Sequence, residues 1–216
     1  MDLTEFSPSS ALLTVIILAL APFAAVMVTS FTKIVVVLSL LRNALGVQQV
    51  PPNVVLNGLA LVLTIYVMYP VGNAMLATIS DEIDVTANSE DMLAAASVAK
   101  EPLREFLLAH SSERERAFFQ DSVRRMSKDS EPVQAEDFIV IIPAFTISEL
   151  TSAFQIGFLI FLPFIVIDLV ISNLLMAMGM MMLSPTIISL PFKLLLFVLI
   201  EGWAKLAHGL VLSYAI

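Results

Sequence analysis

The sequence predicts an all-α chain: apolar helical hairpins with four membrane-type helices, interrupted by a small polar helical insert. Three observations predict it. Hydrophobic residues make up 58% of the 216 and charged residues 14%, against about 45–50% and about 25% in soluble domains; mean hydropathy is +0.92. The apolar residues come in uncharged runs long enough to cross a hydrocarbon core of about 30 Å, which takes about 20 helical residues. The charge is concentrated instead of dispersed: residues 80–137 hold 14 acidic and 7 basic side chains, and all other positions together hold 5 and 4. The chain divides accordingly into an N-terminal apolar hairpin (1–79), an acidic helical insert (80–137) and a C-terminal apolar hairpin (138–216). Four apolar helices leave too little polar surface to clothe a soluble fold, so a membrane or a membrane-bound assembly is expected.

The first candidate crossing is Ala11–Phe31, which carries no charge, and the second is Val54–Ile79, also uncharged. After the insert, Leu150–Leu190 contains Asp168 as its only charge. That run is too long for one crossing and must break. Ser184-Pro185 and Leu190-Pro191 are the expected break points, because proline disfavours helix at the residue before it and removes a backbone donor. The reading is a helix over 150–178, a loop over 179–190 and a last helix over 192–212. The first basic residue is Lys33, so the basic region that opens a cleavable signal peptide is missing and the first helix is expected to be retained. Lys33 and Arg42 then place the 42–53 connection in the cytoplasm, with the N-terminus, the insert and the C-terminus outside.

The insert reads as two or three short helices. Glu90–Lys100 is rich in alanine. Pro102 suits a first helical turn, and Leu103, Phe106 and Leu107 fall on one face. Ser112-x-x-Glu115 has the capping-box pattern. Phe119, Val123 and Met126 follow helical spacing, and Asp121 and Arg125 are placed for an i,i+4 pair. So few residues make a marginal core unless they pack on neighbours.

Lys33, Glu149, Asp168, Lys193, Glu201 and Lys205 are the charges inside the apolar segments. Each would cost about 2.5–3.5 kcal/mol at the centre of a lipid-embedded helix. Glu201 and Lys205 are spaced to satisfy each other. Lys193 is expected in the first turn of its helix, where the dipole opposes a cation, so it needs a carboxylate: Asp168 or Glu149. Lys33 needs the other. Two bases and two acids balance, which favours structural ion pairing between helices or copies over a proton relay.

Met176, Met178, Met180, Met181 and Met182 crowd together beside Gly179 and Pro185. Successive methionines on a helix would point in all directions. On a loop they can project together, and in a ring of copies they would form a deformable apolar constriction.

No catalytic motif is present: no P-loop, GxGxxG, HExxH or GxSxG. There is no cysteine, and the two histidines, His110 and His208, are far apart, so no catalytic residue, cofactor site or metal site is expected. A net charge of −8 argues against nucleic acid as a partner.

Several segments, taken in order, resemble the FliP/SctR family, core proteins of the type III export apparatus of flagella and injectisomes. They are Thr29-Ser-Phe-Thr-Lys-Ile34, Leu40-Leu-Arg-Asn-Ala-Leu-Gly46, Pro51-Pro-Asn53, Ile142-Pro-Ala-Phe145, Ser148-Glu-Leu150, Ala153-Phe-Gln-Ile-Gly157, Ile167-Asp-Leu-Val170, Met178-Gly-Met-Met-Met182 and Ser189-Leu-Pro-Phe-Lys193. The resemblance covers residues 20–80 and 138–212; the insert matches in size and character only. Flagellar members usually carry a signal peptide, and Gly46-Val-Gln-Gln-Val-Pro-Pro-Asn53 looks more like the injectisome branch, so SctR is favoured over flagellar FliP.

The resemblance implies a bacterial inner-membrane assembly projecting to the periplasmic side. In it, five copies form a ring with SctT-like (FliR-like) and SctS-like (FliQ-like) subunits, and unfolded export substrates enter through the pore. It implies a pore gasket of Met180, Met181 and Met182 flanked by Met178. It implies that helices which look transmembrane sit largely above the bilayer, so that Lys33, Glu149, Asp168 and Lys193 become buried subunit contacts. The expected function is therefore a structural and gating subunit of the export gate, not an enzyme. The alternatives are a small ion-coupled transporter using Glu149 and Asp168, or a membrane scaffold or receptor that senses through 80–137.

Overall fold

The apolar run at the N-terminus does not stay one helix. In this computed structural model, which describes residues 8–47, 49–82, 98–126, 133–180 and 182–215, helix α1 (Pro8–Met27) ends and α2 (Phe31–Leu45) begins after a short turn. The turn has a local cause. The hydroxyls of Thr29 and Thr32 donate to the carbonyls of Ala25 (2.7 Å) and Val26 (2.9 Å), which the helix would otherwise leave open at its end. The expected first crossing, Ala11–Phe31, thus ends at Met27, and a second helix that was not expected covers Phe31–Leu45 and runs into the 42–53 connection.

That second helix is the centre of the molecule. Lys33, Ile34, Val37, Leu38, Leu41, Ala44 and Leu45 are buried, and Asn43 is its only exposed residue. The buried positions follow the 3.6-residue repeat around a wide stripe. One end of the stripe packs with Leu56 and Ala60 of α3 (Asn53–Glu82), Ala153 and Leu210. The other packs with Phe164 and Phe197.

The insert contributes α4 (Glu101–His110) and α5 (Glu113–Met126). Pro102 lies in the first turn of α4, as its sequence position predicts. Phe106 and Leu107 form a third cluster with Val67 of α3 and Ile141 and Phe145 of the next helix. The Ser112 backbone N–H donates to Ser148 Oγ (2.8 Å). The insert therefore borrows its core from the apolar helices. Asp121 pairs with Arg124 (3.9 Å), one residue short of the expected Arg125. The alanine-rich segment Glu90–Lys100 lies almost wholly outside the described residues.

Helix α6 (Phe138–Ala177) is the spine. It starts at 138, not 150. At 1.5 Å per residue its 40 residues extend about 60 Å, twice a hydrocarbon core. Its first turns pack against the insert, its middle against α2, and its last turns against α7 (Pro185–Leu199). The contacts fix its direction. Lys33 meets Glu149, and Leu40 faces Gly157, so α2 and α6 run parallel in register.

The C-terminal run breaks in two places. The break at 178–184 was expected. The break at Leu190-Pro191 does not occur, because α7 continues through Pro191 with Ser189, Lys193 and Phe197 buried at i, i+4 and i+8; packing of that face overrides the local preference. The second break falls instead at Ile200–Glu201, where Glu201 takes a left-handed conformation (φ 54°) and α8 (Gly202–Leu212) departs at 59°. Glu201 and Lys205 are both exposed and make no ion pair with each other, since Glu201 lies outside the helix that would align them. Among the described residues, Asn53–Thr78 and Phe138–Ala177 are long and apolar enough to cross a membrane, and α7 with α8 would make a third span if the bent pair counts as one.

Gly157 is required by the close approach of α2. A Cβ there would overlap Leu40 Cδ1 and stand 3.1 Å from Leu40 Cβ. Gly157→Ala should destabilise the purified protein by about 1–3 kcal/mol through overpacking, read as a fall in thermal midpoint in detergent. Adding Leu40→Ala should restore part of that loss. Equal midpoints for wild type and Gly157→Ala would show that the contact does not set the helix spacing.

Candidate functional site

Four of the six charges of the apolar segments come together in two separate pairs. Lys33 Nζ lies 3.2 Å from Glu149 Oε1, with side-chain exposures of 4% and 3%. Lys193 Nζ lies 2.7 Å from Asp168 Oδ2, with exposures of 5% and 41%. The first pair joins α2 to α6; the second joins α7 to α6.

Each pair has a further partner that the sequence reading did not identify. The Tyr214 hydroxyl donates to Glu149 Oε2, and its ring lies under Lys33 Nζ at 3.7 Å from the centroid. Burial, and then the negative charge of Glu149, push the Tyr214 pKa well up, so the phenol keeps its proton and acts as the donor. Both Glu149 oxygens are thereby engaged, and the ammonium gains an aromatic face. In the second pair, Ser189 Oγ donates to Asp168 Oδ1 (2.6 Å), and Lys193 also donates to the Ala44 carbonyl at the end of α2 (3.3 Å). Lys193 stands well inside α7, not in its first turn, because that helix opens at Pro185. Ser189 could have been found: it lies one turn before Lys193 on the same face. Tyr214 gave no such signal, being separated from its partners by a fold-level return of the chain.

The methionine segment lies beyond these pairs. Helix α6 ends in a Schellman arrangement: Met180 N–H donates to the Leu175 carbonyl (2.9 Å) and Gly179 N–H to the Met176 carbonyl (3.0 Å). Gly179 has φ 71°, the left-handed value such a cap requires and glycine adopts without penalty. After the turn, Pro185 opens α7. Met178, Met180 and Met182 are exposed, Met182 completely (101%) and Met180 at 42%. Met181 lies outside the described residues. The Lys193–Asp168–Ala44 contacts tie the flanking helices, so the loop projects from a fixed base.

Among the described residues, no group of three or more His, Cys, Asp and Glu converges as a metal site would. What the site can do is hold three helices in register and present an apolar, deformable loop.

Comparison with known proteins gives a consistent result. The family model described as the FliP family matches residues 12–210. A "Pathogenicity-related ORF2" of Xanthomonas campestris pv. glycines is 53% identical over 205 residues, covering 94% of this chain and 95% of that one. The "Hypersensitivity response secretion protein HrcR" of Ralstonia nicotianae is 50% identical over 218 residues, covering 99% and 100%. The "Yop proteins translocation protein R" of Yersinia pestis is 53% identical over 201 residues, covering 92% of each.

The charge pairs make a directional prediction. Removing one partner of the Lys33–Glu149 pair leaves a buried charge uncompensated, which costs about 3–5 kcal/mol. Lys33→Met alone and Glu149→Leu alone should each abolish recovery of folded protein. The double substitution should recover most of it. Asp168→Asn should be milder, because Asp168 is far more exposed. Thermal midpoints and folded yield in detergent check this, and a double variant no better than either single one would refute the pairing.

Proposed function

The chain belongs to the FliP family, and from that premise we propose that it is a structural and gating subunit of an injectisome-type type III secretion export gate, without catalysis of its own. The observation that carries the reading is the methionine loop: exposed methionines, closed behind by a glycine cap, on a base tied by the Lys193–Asp168 pair. A thioether loop adapts to irregular surfaces. Several copies facing a common axis would seal a pore against ions and still yield to a passing chain.

In this reading the pore is a ring of copies, five by the family resemblance, joined by SctT-like and SctS-like subunits. Unfolded secretion substrates are the cargo. The assembly sits at the bacterial inner membrane and projects to the periplasmic side, with 80–137 extracytoplasmic. Broad exposed apolar faces support an obligate assembly: Val54, Val62, Ile65, Tyr66, Phe158 and Leu159 are all exposed on α3 and α6, far more than a soluble monomer tolerates. The transporter alternative is disfavoured by Glu149, which is buried with each oxygen already held by a neighbour. The receptor alternative is disfavoured by the insert, whose core is shared with α3 and α6.

Replacing Met180, Met181 and Met182 by alanine, or by glycine, should make the assembled complex leak ions while leaving its subunit composition intact. Single-channel conductance of the complex in a planar bilayer measures this. Unchanged conductance from correctly assembled complex would remove the gasket role.

A further inference from the structure

Between the end of α2 and the start of α7 lies an open cleft of about 650 Å³, lined by Arg42, Asn43, Gln49, Asn53 and Thr186. Arg42 is the one ionised side chain in its wall. Its Nη1 donates to Asn53 Oδ1 (2.5 Å) and reaches the Pro51 carbonyl at 3.4 Å. No carboxylate pairs with it among the described residues. The other nearby cation, Lys193, lies behind the floor at Gly46, where an added Cβ would stand 3.9 Å from its Nζ; its charge is already met by Asp168. Among the described residues, the positive charge of the cleft is met by no carboxylate. Side-chain amides and a hydroxyl around it can donate, since Asn53 accepts from Arg42 through oxygen and turns its NH₂ to other partners.

The rim has a different character. Val50, Val54 and Ile187, the chain neighbours of the lining residues Gln49, Asn53 and Thr186, are exposed. A guanidinium with free donors matches a phosphate oxygen pair, and an apolar rim matches the chains that a phospholipid attaches to one. We propose that this cleft binds a phosphate group, with the headgroup of an anionic phospholipid as its natural source. The site stands independently of the export-gate reading: it needs neither a ring nor a pore.

The test uses the full chain purified in mild detergent. Native mass spectrometry and thermal shift follow titration with phosphatidylglycerol, with phosphatidylcholine and with inorganic phosphate. Arg42→Gln removes the cation and Arg42→Lys retains a charge. Thr186→Asp adds an opposing charge at an exposed position in the first turn of α7, where an acid favours the helix, so this variant folds even if the arginine variant does not. Phosphatidylglycerol should be retained over phosphatidylcholine. Arg42→Gln and Thr186→Asp should each weaken it about tenfold, the effect of one charge-assisted hydrogen bond, with Arg42→Lys in between. Inorganic phosphate showing the same variant dependence, with phosphatidylglycerol adding nothing, would support the phosphate site and assign it to a free anion. Binding unaltered by both Arg42→Gln and Thr186→Asp, or no binding of either probe, would overturn the proposal.

Discussion

The buried Lys33–Glu149 contact is the constraint on which the rest of the fold depends. Two charges in an apolar interior are tolerated only when each meets the other with good geometry and the remaining lone pairs are filled. This leaves α2 one axial position on α6. From that anchor Leu40 falls opposite Gly157, the residue that can admit it, and Ala44 falls where its carbonyl meets Lys193. The parallel register of two helices is thus set by one ion pair and checked by a glycine and a carbonyl further along. Tyr214 closes the same contact from the far end of the chain, which ties the last helix to the first half of the molecule.

What the sequence disclosed and what it hid follow from how each signal arises. Uncharged apolar runs are a compositional signal, so the run Val54–Ile79 marked most of α3, and the run from Leu150 marked the later part of α6 and the break after it. The chemistry of the buried charges was also legible, because two acids and two bases in apolar surroundings have to find one another. Which acid meets which base was not, since that depends on the register of helices far apart in sequence. Helix α2 was missed for a related reason. Lys33 and Arg42 make its composition look like the edge of an apolar run, although it is the most enclosed helix of the chain. The early start of α6 was hidden by Thr146, Ser148 and Glu149. These polar residues interrupt the hydropathy, yet each finds a partner in the fold.

The prolines show the limit of local rules. Pro185 starts a helix, as its position after Ser184 allows, whereas Pro143, Pro163 and Pro191 lie inside helices that continue past them. A proline removes one backbone bond, a loss of about 3 kcal/mol in an exposed helix. Three buried side chains on one face of α7 outweigh it. At Glu201 the opposite holds. Glu201 has no charge partner among the described residues, its backbone turns left-handed, and the helix bends just before Gly202, where a Cβ would overlap the Phe197 ring.

The placement of polarity also bears on how a gate could be built from such a chain. The ion pairs lie along the α2–α6–α7 contacts, and the exposed methionines lie just past their end. Rigidity and compliance are thereby separated along the molecule. Helices pinned by buried charges resist sliding, because any shift would break a pair before a new one could form. A loop of thioethers beyond a glycine cap has no such penalty and can re-pack around whatever meets it. A seal made this way would deform at its lip while its frame kept its register. In the proposed gate the charged residues and the methionines, although chemically opposite, would then serve one device.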